Sequence, residues 1–102
     1  MTQAERIAHY EEILNRVASA AEQLDAALSE FEAVQPLARE LDAYYGSADW
    51  RADLDADEAG ELPDDLRRGV LSEDAAYDAL CENRELLQRM REISLKNIPE
   101  NP

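Results

Sequence analysis

The first third of the chain carries a regular pattern of hydrophobic residues. Thr2 and Glu5 open it as a T-x-x-E capping box, in which each side chain can accept a hydrogen bond from the other residue's backbone N–H. Apolar residues then recur at alternating steps of three and four, at Ile7, Tyr10, Leu14, Val17, Ala21, Leu24, Leu28 and Phe31. This spacing is typical of a coiled-coil seam and predicts a first helix over about residues 3–34.

Pro36 interrupts this helix. Proline lacks a backbone donor and its ring clashes with the preceding turn. The apolar stripe nevertheless continues on the far side, at Val34, Leu37, Leu41 and Tyr44. The pattern therefore predicts a kink near Gln35 and a helical continuation over 36–45.

Residues 47–71 are predicted to form a short helical corner. Gly46 suits the left-handed residue that follows a helix, and Ser47 can cap a new helix at once. We expect that helix to run over about 48–58. Its apolar residues, with those that follow, should fill the corner: Trp50, Leu54, Leu62, Leu66, Val70 and Leu71.

The second half of the corner is predicted to be less regular. Gly60 should end the short helix, and the residue before Pro63 is disfavoured from the helical region. One further turn is expected over 64–67, with Gly69 closing it.

The last helix is predicted over 72–97. Ser72 begins it, and two acidic residues follow in the first turn, where negative charge suits the helix dipole. Its apolar stripe is less regular than that of the first helix. The final residues, 98–102, are expected to form a frayed tail.

These elements predict an all-α fold: an antiparallel pair of long helices, similar to a coiled-coil hairpin, capped by the short helical corner. Residues 1–97 would form a single helical domain. The regular seam of the first helix can pack against the last helix within one chain. It can also pair across a two-fold axis, so that two hairpins form a homodimeric four-helix bundle. Both arrangements remain open.

Charge narrows the choice of partners. The 102 residues include 24 Asp and Glu against 10 Lys and Arg, a net charge of −14. Such a chain lacks the basic face that nucleic-acid binding requires, and an anionic membrane would repel it. Its single cysteine cannot form an intrachain disulfide, and no segment approaches the roughly 20 apolar residues of a membrane span. We therefore expect a cytoplasmic protein without a nucleic-acid or membrane partner.

Half of the net charge lies in residues 47–65, within the corner. Residues 47–65 include eight acidic residues and one arginine, a net of −7. We expect a solvated acidic surface, onto which Arg67 and Arg68 fold back. A more specific interpretation is that this surface binds a basic protein. An alternative is an acidic DNA mimic that inhibits a nucleic-acid-binding protein.

A second alternative is a carboxylate metal site, built from Asp53, Asp55, Asp57 and Glu61. The run from Asp53 to Asp57 resembles the opening of an EF-hand loop. Glu58, however, occupies the position where that loop needs glycine. We therefore expect no bound metal and no other cofactor.

No motif predicts an enzyme. The chain has one histidine, His9, and one cysteine, Cys81, with no histidine near the cysteine in the sequence. No glycine-rich phosphate loop is present. We expect a non-enzymatic interaction protein, an adaptor or regulatory subunit. The candidate partner-binding residues are Tyr44, Tyr45, Trp50, Asp53, Asp55, Asp57, Arg67 and Arg68, and one of the two adjacent tyrosines should face outward.

The central segment also resembles a known family. It reads Y-Y-G-S-x-x-W at 44–50 and D-E-A-G-x-L-P-x-D-L-x-R-G-V-L-S-E-D at 57–74. Together with the long first helix, the Gln35-Pro36 step and the last helix, it is similar to an uncharacterised family of small bacterial proteins that is described only as a domain of unknown function. The resemblance covers nearly the whole chain. It implies a small bacterial helical protein, and it implies no activity and no functional residues.

Overall fold

The computed structural model describes residues 1–99, which form helices and connecting turns. The elements are α1 (Gln3–Tyr44), α2 (Ala48–Glu58), a 3₁₀ helix (Gly69–Leu71) and α3 (Glu73–Asn97). No strand occurs among the described residues, so the predicted all-α class is confirmed. The chain divides into two compact units, Met1–Gln35 and the part from Pro36 onward. The prediction of a single domain stays a prediction.

The first unit consists of the N-terminal part of α1. The predicted capping box is present: the Thr2 backbone N–H donates to Glu5 Oε1 at 3.1 Å, and the Glu5 N–H donates to Thr2 Oγ1 at 3.1 Å. The hydrogen bond from the Thr2 backbone N–H, and after it the interaction with the Thr2 side chain, lowers the pKa of the Glu5 carboxyl. The cap stabilises the start of the helix because it satisfies backbone donors that have no partner within it.

The predicted seam of α1 is exposed in the single chain. None of the side chains of α1 is buried. Exposed fractions run from 37% at Leu28 to 63% at Val17 for the large side chains of this stretch, which are Ile7, Tyr10, Ile13, Leu14, Val17, Leu24 and Leu28. The coiled-coil pattern is therefore present as an accessible apolar stripe.

α1 continues through Pro36. The structure has one helix where the sequence predicted two segments joined at a kink, and the kink itself stays a prediction. A single proline removes one intrahelical hydrogen bond, and the flanking turns can hold the helix together. Gln35 contributes, since its Nε2 donates to the carbonyl oxygen of Phe31 at 3.0 Å.

The tight connection between α1 and α2 forms as predicted. Gly46 adopts a φ of 80°, the left-handed conformation that glycine reaches without a steric penalty. Ser47 is the N-cap of α2, and its hydroxyl accepts a hydrogen bond from the Trp50 backbone N–H at 3.1 Å. Gly60, with a φ of 72°, follows the end of α2.

The chain after Pro63 differs from the prediction. One turn forms there, in which the Leu66 N–H donates to the Pro63 carbonyl at 3.2 Å. Gly69 begins the 3₁₀ helix and does not close a turn. The helix starts there because the Arg68 carbonyl accepts the hydrogen bond of the Leu71 N–H at 3.0 Å. The Gly69 carbonyl accepts hydrogen bonds from both the backbone N–H and the hydroxyl of Ser72, at 3.1 and 2.9 Å.

α3 begins and ends close to the predicted residues. Ser72 is its N-cap, and the Ser72 hydroxyl accepts a hydrogen bond from the Ala75 N–H at 3.2 Å. The helix ends at Asn97, so residues 98 and 99 lie outside it. The rest of the predicted tail, 100–102, lies outside the described residues.

The second unit contains the buried core. Its members are Trp50, Leu71, Ala76 and Leu80, and the 3₁₀ helix packs against both α2 and α3. Of the predicted apolar corner residues, Leu66 and Val70 are exposed. Among the described residues, no helix is both long and apolar enough to cross a membrane.

The end of α1 and the start of α3 run antiparallel within this unit. The Tyr45 hydroxyl donates to the carbonyl oxygen of Glu73 at 3.1 Å. Further back along α1, Asp42 Oδ1 lies 3.6 Å from the guanidinium of Arg84, which is further forward along α3. The order of these contacts is the one that the predicted hairpin requires.

Candidate partner-binding site

Trp50 holds the corner together from inside. Its side chain is only 6% exposed, and its indole Nε1–H donates to the carbonyl oxygen of Val70 at 3.0 Å. The Tyr45 ring packs edge-on against it, with centroids 5.1 Å apart and an interplanar angle of 65°. A partner cannot reach most of this side chain. Trp50 was predicted to fill the corner and was also a candidate contact residue; its burial confirms the first prediction, and it supports the surface from within.

Both tyrosines of the adjacent pair face the corner, although the sequence predicted that one would face away. Tyr44 and Tyr45 are half-buried, and each hydroxyl makes a hydrogen bond. The reason is their position at the end of α1. There the chain turns, so that Tyr44 bonds Asp53 of α2, while Tyr45 contacts both Trp50 of α2 and Glu73 at the start of α3.

Tyr44 forms the shortest of the hydrogen bonds between side chains in the corner. Its hydroxyl donates to Asp53 Oδ2 at 2.6 Å. This hydrogen bond, together with partial desolvation and the negative charges of Asp53 and Asp49, raises the pKa of the Tyr44 phenol to about 12. The protonated phenol is the form that can donate to the carboxylate, so the pair links α1 to α2 at neutral pH.

Arg68 folds back onto the acidic run, as predicted. Its guanidinium lies 2.7 Å from Asp57 Oδ1, and both side chains are about one-third exposed. Its Nε–H also donates to the carbonyl oxygen of Leu66 at 3.3 Å. Arg67, predicted to do the same, is exposed and forms no ion pair within residues 1–99.

The acidic residues of α2 do not gather into one cluster. Asp53 and Asp57 are four residues apart and share a face, where Tyr44 and Arg68 bind them. Asp55 lies on another face and is exposed. Because this stretch is helical, it cannot adopt the loop of an EF-hand. Within residues 1–99, no three His, Cys, Asp or Glu side chains are placed to hold a metal ion.

A groove of about 320 Å³ lies at the surface of the corner. It is lined by four of the predicted partner-binding residues, Tyr44, Asp53, Arg67 and Arg68, and by four apolar residues, Leu62, Leu66, Val70 and Leu71. The two groups together form what we call the corner groove. Tyr45, Trp50, Asp55 and Asp57 do not line it.

The candidate residues predicted from the sequence did not include the apolar walls of the groove. Leu62, Leu66 and Val70 follow one another at intervals of four and were predicted to be corner filling. A leucine that fills a core and one that lines a groove are the same residue type. The local signal that was available is the neighbourhood of Leu66, which lies between an acidic pair and an arginine pair.

Comparison with known proteins identifies a family. The model of a protein family described as a domain of unknown function (DUF4298) matches residues 7–93, which include all of the corner. This confirms the resemblance of the central segment to such a family. No curated protein and no solved structure matches the chain.

Proposed function

The chain belongs to the DUF4298 family, and from that premise we propose that it is a non-enzymatic adaptor or regulatory subunit that binds a partner protein in the corner groove. One observation carries the proposal. The groove combines exposed apolar walls with charged side chains at its edge, on a support that is already held in place. Protein-binding surfaces commonly place apolar anchors inside a polar rim.

The apolar walls fit an anchoring side chain of the partner. Leu66 is 49% exposed and Val70 is 39% exposed, and both line the groove. A volume of about 320 Å³ has room for one or two apolar side chains. Burial of such anchors in a pocket is the usual source of the strongest contacts in an interface.

The charge around the groove favours a partner with basic residues. Residues 47–65 carry a net charge of −7, while Arg68 is already neutralised by Asp57. Opposite charges around an apolar anchor speed association and help to select the partner. Arg67 is the one positively charged residue of the groove without an ion pair among the described residues. It is exposed and can donate to a carbonyl or carboxylate of the partner.

The groove is pre-organised. The hydrogen bonds from Tyr44 to Asp53 and from Trp50 to Val70 tie the lining to α1 and α2. The Arg68–Asp57 pair adds a third link. A surface that is ordered before binding loses less conformational entropy on association.

We place this function in the cytoplasm, with neither nucleic acid nor a membrane as partner, and this also remains a proposal. The net charge of −14 supports the absence of nucleic-acid and membrane partners, because phosphates repel such a surface. The DNA-mimic alternative gains no support from α2. On its acidic face, Asp53 and Asp57 are bound within the chain, so they do not form a free row of phosphate-like charges.

The test is capture of a partner, its identification, and binding measurements with both proteins purified. We expect Leu66→Ala and Arg67→Ala each to weaken binding about 10-fold or more, as buried anchors and interfacial arginines commonly do. The matched controls are Leu95→Ala and Arg91→Ala, since both residues are exposed on α3. These should change the affinity by less than about 2-fold.

Two results would contradict the proposal. One is unchanged affinity in both groove variants, with folding confirmed by circular dichroism. The other is equal loss in the groove variants and the α3 controls, which would place the interface outside the corner.

A further inference from the structure

The exposed seam of α1 is a second surface that no function described so far uses. It lies within residues 1–35 and is separate from the corner groove. Large apolar side chains are exposed along its length, although soluble monomers rarely expose a continuous apolar patch of more than a few hundred Å². A helix that presents such a stripe is usually stabilised by packing against another element.

The seam is large enough for a second helix. Between Ile7 and Phe31 it is roughly 36 Å long, at about 1.5 Å per residue. A stripe about 100° wide on a helix roughly 10 Å across offers on the order of 300 Å². Two copies face to face would therefore bury about 600 Å² through the stripes alone, which is below the size of a standard specific interface and predicts a weak dimer.

The two borders of the seam differ in chemistry. One border begins with Arg6 and is apolar beyond it, with Ile13, Ala20, Ala27 and Val34. The other is mostly acidic, with Glu11, Ala18, Asp25 and Glu32. In a parallel pair of helices, the apolar border of one copy would cover acidic residues of the other. In an antiparallel pair, like borders meet, so the apolar border is buried and the acidic one stays in water.

The seam is also symmetric along its length. Its steps of 3-4-3-4-3-4-3 read the same in both directions. In an antiparallel overlap centred at residue 19, Leu14 of one copy meets Leu24 of the second copy. The same overlap pairs Tyr10 with Leu28, Ile7 with Phe31 and Val17 with Ala21, so large side chains meet large ones and small side chains meet near the centre.

We propose that the chain forms an antiparallel homodimer through the α1 seam, with the two-fold axis near residue 19. The second copy is the occupant because the spacing of the seam and its apolar border complement themselves. This dimer does not depend on the corner groove. It would present two grooves per molecule, and a bivalent adaptor binds a multivalent partner more tightly than a single groove does.

The acidic border gives the dimer a specific dependence on salt. Across the axis, Glu11 of one copy lies near Asp25 of the second copy, and both chains carry the same net charge. Salt screens repulsion between exposed charges. We therefore expect the dimer to become tighter between about 50 and 500 mM salt, whereas an interface built on opposite charges would weaken.

Sedimentation equilibrium of the full chain tests association directly. We expect a mass twice the 11.5 kDa of one chain, with a dissociation constant in the micromolar range that such a small interface supports. Leu14→Glu with Leu24→Glu should raise that constant by about 100-fold or more. The control is Ser19→Glu with Ala26→Glu, which adds the same charge on the opposite face of the helix and should leave the dimer intact.

Disulfide formation tests the orientation, in a Cys81→Ser background. Ala20→Cys should form a disulfide-linked dimer on oxidation, because the two copies of this position face each other beside the axis in the antiparallel arrangement. Ala21→Cys should not, since its two copies are offset along the helices. In a parallel pair, the result would be reversed.

Three outcomes would overturn the proposal. A monomer at several hundred micromolar removes the dimer, and a dimer that survives the Leu14 and Leu24 substitutions removes the seam as its interface. A disulfide at position 21 without one at position 20 removes the antiparallel arrangement. None of these results affects the binding test of the corner groove.

Discussion

The Tyr44 phenol shows how strongly one residue responds to the charge of the corner. Its pKa is raised from 10.0 to about 12, first by the hydrogen bond to Asp53. The protonated form is therefore favoured by folding. This contribution to stability is fully present below pH 10 and is lost as the pH rises from there through about 12.

We predict a tyrosine titration step near pH 12 that belongs to Tyr44. Ultraviolet absorbance, followed against pH, should contain one phenol less at that step in Tyr44→Phe than in the wild type. The pKa of Tyr77 is also raised, through its hydrogen bond to Cys81. The step of Tyr44 is therefore identified from the difference between the titration curves of the wild type and Tyr44→Phe. If Tyr44→Phe removes a phenol that titrates near pH 10 instead, the bond to Asp53 does not persist in solution.

Gly46 tests the backbone of the connection between α1 and α2. Its φ is +80°, and a Cβ placed there would meet nothing within 4 Å. A substitution should therefore be costly because of the backbone conformation alone. We predict that Gly46→Val lowers the free energy of unfolding by at least about 1–2 kcal/mol.

Gly69 is the matched control for this prediction. It also has open space around a new Cβ, but its φ lies outside the left-handed region. Gly69→Ala should change the free energy of unfolding by no more than about 0.5 kcal/mol. Equal costs at both glycines in urea denaturation would show that conformation is not what distinguishes them.

For single residues, the sequence predicts hydrogen bonds and turns between near neighbours in the chain, and it does not predict contacts between distant positions. Ser47, Gly46 and the Thr2–Glu5 box could be identified because each acts within four residues along the chain. The bond from Trp50 to Val70 joins residues twenty positions apart, and no local pattern indicates it. For the same reason, exposed Leu66 could not be distinguished from buried Leu71.

Among the elements, α2 depends on a single anchor. It has eleven residues, and Trp50 is the one that is buried. An isolated helix of this length is unstable in water, so packing of its anchor must hold it. We predict that Trp50→Ala costs about 3–5 kcal/mol and disorders the corner.

Leu37→Ala is a suitable control, since Leu37 lies on α1 and is 59% exposed. It should cost less than about 1 kcal/mol, because little of the side chain is buried. Chemical denaturation of both variants would give the comparison. A small loss in Trp50→Ala would mean that α2 is held by other contacts.

The bounds of α2 and α3 could be predicted, while the continuity of α1 could not. Serine caps and left-handed glycines mark the ends of short helices with specific chemistry. Pro36 carries a weaker signal, because proline costs a helix stability without always ending it. Whether a helix survives it depends on its other contacts, here including the bond from Gln35 to Phe31.

For the whole molecule, hydrophobic periodicity was sufficient to predict the all-α class and the apolar stripe of α1. The motif at residues 44–50 and 57–74 was sufficient to predict the family. The corner groove was not predictable, because it depends on the fold of residues 62–71, where turn geometry and not periodicity decides the path. Charge predicted an acidic surface at the corner, and this stays a prediction. It did not reveal that Asp53 and Asp57 are bound by Tyr44 and Arg68.

The account depends most on an ordered corner, and Trp50 offers a direct measure of it. This is the one tryptophan of the chain, so its indole N–H gives a single resonance in an NMR spectrum. In the structure that N–H donates to the Val70 carbonyl. Hydrogen exchange of the indole therefore reports how often the corner opens. We predict exchange at least about 100-fold slower than that of a free indole. Exchange at the free rate would contradict an ordered corner and, with it, the groove.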